Sequence, residues 1–138
     1  MASNASRYLF LFLVGLVIGA VLTVVALRAV QSRQDPFPDS VMHVMSKHAG
    51  LLKQNVEKNR CSSTDALPHL QALRIMGNDL ERAFPSLADD QRFAQHASEY
   101  RRTLDAALQG PPEDCAATGT TLGDIGGACK ACHQDFKG

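Results

Sequence analysis

"GGACKACHQDFKG", residues 126–138, closes the chain. Cys129 and Cys132 stand three apart, and His133 follows the second cysteine directly. Three readings compete for such a stretch: a haem attachment, a zinc or thiol redox pair, and two cysteines that are close by chance. On a helix these residues fall at i, i+3 and i+4 and project from one face. A covalently held haem needs that arrangement, because two thiols must meet its vinyl groups while an imidazole approaches the iron from the same side. A structural zinc wants four ligands, usually as two pairs, and the other cysteines, Cys61 and Cys115, stand singly. A thioredoxin-like pair belongs beside a βαβ pattern, which is missing. The motif favours a single covalent haem c, bonded through Cys129 and Cys132 and ligated by His133.

Upstream of the motif the pattern is helical throughout, with no strand alternation and no internal repeat. Helix A is expected over residues 38–60, with Met42, Met45, Ala49, Leu52 and Val56 as one apolar seam. Helix B is expected over 65–84. Ser63, Thr64 and Asp65 offer capping oxygens, and Leu70, Leu73, Met76, Leu80 and Phe84 supply the stripe. Pro68 suits only an early turn, and Pro85 stops the helix. Helix C opens at Ser86, with Asp89 three residues on, and carries Phe93, Ala97, Tyr100, Leu104 and Leu108 until "QGPPED" (109–114) ends it. Helix D covers 114–136. Its glycines and threonines make it weak by propensity, and a bonded apolar macrocycle would supply the missing burial. Four helices with short loops predict an all-α, up-down-up-down antiparallel four-helix bundle.

That topology also sorts the cysteines. Helix A ends near Cys61 and helix C ends just before Cys115, so both loops fall at the bundle end opposite the haem motif. The two are placed to form a disulfide, which needs an oxidising compartment. The competing reading is two unrelated buried thiols.

Before the bundle lies "YLFLFLVGLVIGAVLTVVAL" (8–27), uncharged and long enough, at about 30 Å as a helix, to cross a bilayer. A cleaved signal peptide would have a shorter apolar run and a better small-residue cleavage site than Leu27-Arg28-Ala29. An uncleaved N-terminal transmembrane anchor over 1–30 is expected, then a Pro-containing tether over 31–39, then the haem domain over 40–138. Arg7 precedes the span while Arg28 and Arg33 follow it, so positive-inside counting weakly favours a cytoplasmic domain. The cysteine chemistry argues for the opposite side and carries more weight. Gly15 and Gly19 form a GxxxG, the spacing through which a second copy or a partner helix would pack, although glycine is common in membrane helices. Formal charge balances to +0, which leaves no basic stripe for nucleic acid.

The stretch "GDIGGACKACHQDFK" (123–137), closing a four-helix domain, resembles the cytochrome c′ family and its low-spin relatives. The likeness is specific over these residues and rests on pattern and order over helices A to C. It implies thioethers at Cys129 and Cys132, His133 as proximal ligand, and a distal residue on helix A. Two departures stand out. Family members are usually soluble after signal cleavage, and they often carry an arginine near the distal position, whereas no arginine occurs here between Arg33 and Arg60.

Within "VMHVMSKHAG" (41–50), Met42, His43, Met45 and His48 are competent iron ligands. Met45 is the first choice, since it lies on the seam and matches the low-spin relatives. Met42 is the second, with the histidines or an open position behind. Met76 reads as core, His69 as lying towards the disulfide end, and His96 as a surface or satisfied histidine. The expected function is one-electron transfer rather than enzymatic turnover. The domain would lie on the periplasmic side of a bacterial cytoplasmic (inner) membrane, exchanging electrons with membrane-bound redox complexes or other cytochromes. The alternatives are a five-coordinate protein binding nitric oxide or carbon monoxide, and an accessory haem subunit of a larger membrane assembly.

Overall fold

A computed structural model describes residues 4–31 and 35–136. Arg33, Lys137 and Gly138, together with tether residues 32 and 34, lie outside the described residues. The described chain is helical, with no strand among the described residues, and it divides into two compact units at Pro36/Phe37.

The first unit is α1, Asn4–Gln31. Its Ser6–Val30 stretch spans about 37 Å, long and apolar enough to cross a membrane. It is apolar on every face rather than along one stripe, which is how a lipid-facing helix differs from one that covers a core.

The second unit contains α2 (Phe37–Glu57), α3 (Ser63–Met76), the short α4 (Leu80–Ala83), a 3₁₀ turn (Pro85–Leu87), α5 (Gln91–Gln109) and α6 (Cys115–Phe136). α2 packs on α3 and α6, and α5 packs on the same two helices. The centre is filled by Leu52, Leu70, Leu73, Leu104 and Ile125, all essentially inaccessible to solvent. Each such side chain stabilises the fold by about 1.5–3 kcal/mol.

The expected tether is shorter at both ends, because Gln31 still belongs to α1 and Phe37 already begins α2. Pro38 tolerates a first helical turn and Asp39 complements its dipole. α2 ends at Glu57 rather than at residue 60. Arg60 N–H donates to Asn55 O at 2.9 Å and Asn59 N–H to Val56 O at 3.1 Å. Asn59 has φ 53°, so this is a Schellman close with asparagine in the left-handed position. The buried seam is Val41, Met45, Leu52 and Asn55, rotated slightly from the expected one, so Met42 is only half-buried. Asn55 is tolerated inside because its amide donates to Asp65 O at 3.1 Å, tying α2 to the start of α3.

Helix B is not one helix. Ser62, one residue before the expected caps, is the N-cap, with Asp65 completing a capping box. The helix then breaks at Gly77-Asn78-Asp79. Asn78 and Asp79 N–H donate three residues back, to Ile75 O and Met76 O, which tightens the chain into a turn. The Asn78 side chain also accepts from Arg74 at 2.6 Å. Gly77 itself lies so close to Tyr100 that a Cβ there would meet the ring at 3.1 Å. Helix C likewise starts later than expected. Residues 85–87 form the 3₁₀ turn, and Asp90 caps α5 by accepting from Arg92 N–H at 2.8 Å. Phe93, Ala97, Tyr100 and Leu104 then face the core as their spacing predicts. α6 starts at Cys115, with Asp114 accepting from Ala117 N–H at 2.7 Å, and runs through its glycines without a break.

Cys61 and Cys115 form a disulfide, Cα–Cα 4.9 Å, between the loop after α2 and the start of α6.

Candidate functional site

α6 is a poor helix by composition, yet it delivers one continuous face to a cleft of about 580 Å³. Leu122, Ile125, Cys129, Cys132 and His133 all line it, as helical spacing of three and four requires. The facing wall comes from α2, through Met42, His43, Met45 and Ala49. Phe93, Ala97 and Tyr100 of α5 close a third side. Met45 is buried and Met42 half-buried, so two thioethers stand in the same cleft as both thiols and the imidazole. His48, also considered as a ligand, does not line the cleft and instead lies against His69.

Cys129 and Cys132 are free thiols and half-buried. Burial pushes the Cys129 thiol above its ordinary range, with Cys132 adding to the effect. Burial raises Cys132 as well, helped by the carboxylate of Asp135. Both are held as neutral thiols, the opposite of the depressed pKa that a redox or nucleophilic cysteine needs. Among the described residues no group of three or more His, Cys, Asp or Glu converges on a common metal position, and Cys61 and Cys115 are joined to each other.

Tyr100 sits deep in the cleft wall. Its hydroxyl donates to Leu73 O at 3.4 Å, and burial, then the neighbouring Cys129, pushes the phenol pKa well up. The far end of α6 is pinned by groups whose pairing sequence reasoning missed. His96 Nε2 meets Asp135 Oδ2 at 2.9 Å. Phe136 packs edge-on against Phe93, centroids 5.5 Å apart, and Arg92 lies 5.4 Å from the Phe136 ring centre. These contacts fix the last turn of α6, and with it Cys132 and His133, against α5. The signal was present in the spacing: His96 lies three residues after Phe93 and shares its helix face.

These residues fit a haem. The cleft lies within the roughly 300–1,000 Å³ of small-molecule and cofactor sites and its walls are mostly apolar; thiols, imidazoles and thioethers line it, together with Asp39, Ser46 and the Tyr100 phenol. Cys129 and Cys132 are the residues that could carry thioether bonds to such a group, and His133 of the same wall is the one that could ligate its iron. Comparison with protein-family models, with curated proteins and with solved structures returns no match for this chain.

Proposed function

We propose that this chain is a membrane-anchored c-type cytochrome that passes single electrons and binds no substrate for turnover. One observation carries the reading: the CxxCH triplet and the thioethers of Met45 and Met42 line facing walls of one apolar cleft. Cys129 and Cys132 would hold one haem c covalently, with His133 and Met45 as the protein ligands of its iron and Met42 next in line after Met45. A haem bound there would supply a one-electron couple, whose potential a Met/His ligand pair raises. Phe93, Ala97 and Tyr100 would pack against the macrocycle, while the His96–Asp135 contact holds the turn that carries His133. The helices of the second unit form an antiparallel four-helix bundle of the cytochrome c′ type.

α1 anchors the domain to a bacterial inner membrane with the haem on the periplasmic side. The Cys61–Cys115 bridge supports that side, since disulfides persist in oxidising compartments. Anchoring confines the carrier near membrane redox complexes or other cytochromes, raising its effective concentration there. A second copy or a partner helix would pack through Gly15 and Gly19.

The optical spectrum of the purified full chain tests this. A low-spin spectrum in both oxidation states is expected, and Met45→Ala should turn it high-spin. A high-spin wild type that binds carbon monoxide rapidly would refute the electron carrier in favour of a gas-binding protein. A low-spin spectrum unchanged in Met45→Ala would assign the sixth position to Met42 or His43.

A further inference from the structure

Outside the cleft, His48 of α2 and His69 of α3 bring their Nδ1 atoms to 3.1 Å across 21 positions of sequence. Their ring centroids are 5.3 Å apart, and both rings are half-buried at the α2–α3 contact. We propose that His48 and His69 form a binding site for a late first-row divalent metal ion, held by the two Nδ1 atoms.

Two nitrogens bound at about 2.0–2.1 Å to one ion stand about 2.9 Å apart at a right angle and about 3.4 Å apart at the tetrahedral angle. The observed separation of 3.1 Å falls between these limits; in the metal-free protein one ring donates its Nδ1–H to the other, and moving that proton to Nε2 would leave both Nδ1 atoms within reach of one ion. The supporting frame is stiff. The capping box of Ser62 and Asp65 starts α3, and the Asn55 amide bonds that same turn to α2. Among the described residues no third His, Cys, Asp or Glu completes the group, so the remaining positions on the ion would fall to water, which the partly exposed rings admit. Imidazole ligands select copper, zinc and nickel over calcium and magnesium, and the general affinity order puts Cu(II) first. The site is separate from the cleft and does not rest on the haem reading.

The test uses the full chain without an affinity tag, in detergent micelles, titrated with Cu(II) and then with Zn(II). Calorimetry should show one ion per chain. Electron paramagnetic resonance should show Cu(II) coupled to nitrogen, distinct from any iron signal. His48→Phe and His69→Phe should each weaken binding by about tenfold or more, while Lys53→Ala, on the exposed side of α2, leaves it unchanged. His69→Gln, which keeps a polar side chain, should lose binding as well and covers the case in which phenylalanine disturbs the fold. Absence of Cu(II) binding at micromolar protein, or wild-type affinity in His69→Gln, would overturn the proposal.

Discussion

Replacing Cys61 and Cys115 together by alanine removes one covalent link without leaving either partner as a lone thiol. The bridge joins residues 54 apart in sequence. Closing a loop of that length takes about 14 cal/mol/K from the unfolded chain, or about 4 kcal/mol at 25 °C. This is a large share of the ~5–15 kcal/mol that holds a typical domain together. The assay is urea denaturation of the full chain in micelles, followed by far-ultraviolet circular dichroism, with and without reductant. At a urea slope of roughly 1–2 kcal/mol/M, the double variant should unfold about 2–4 M earlier. Reductant should shift the wild type by a similar amount and leave the variant unmoved. A midpoint shift below about 1 M at unchanged slope would refute the reasoning, because the bridge would then not be restraining the unfolded chain.

Two further perturbations probe the packing around the cleft and the histidine pair. Gly77→Ala would put a Cβ at 3.1–3.2 Å from the Tyr100 ring and 3.2 Å from Arg74 O, and should destabilise by about 1–3 kcal/mol in the same urea assay. Combined with Tyr100→Leu its cost should be less than additive, and strict additivity would show that the ring is not what it meets. His69 has a folded pKa below its ordinary 6.5, so between the two values the unfolded chain binds more protons than the folded one. Its contribution to stability is complete above about pH 6.5 and is lost as pH falls through the folded value. In metal-free buffer, stability should therefore fall from neutral pH towards pH about 5, above most carboxylate titration, and fall less steeply in His69→Phe. Equal slopes in the two proteins would refute the assignment.

Local sequence was sufficient wherever the controlling interaction is itself local. The i, i+3, i+4 spacing of Cys129, Cys132 and His133 places them on one face of any helix that contains them, and α6 does contain them. The seam Phe93, Ala97, Tyr100, Leu104 was legible for the same reason, and so was the apolar length of α1. Boundaries were less legible, because several caps compete within a few residues. Ser62 is chosen over its neighbours by its reciprocal bonds with Asp65, and Asp90 over Ser86 by its acceptance from two backbone N–H groups.

What only the tertiary structure decided are the relations between helices that no period encodes. The break after Met76 depends on Gly77 lying against Tyr100, a ring from another helix. The burial of Met45 and Val41 ahead of Met42 follows from how α2 is rotated against α3 and α6, a choice coupled to the buried Asn55 amide finding Asp65. His48 and His69 looked unrelated, one a ligand candidate and the other a residue towards the disulfide end, until α2 and α3 packed and brought their nitrogens together. Helical period determines which side chains share a face, and only packing between helices determines what that face meets.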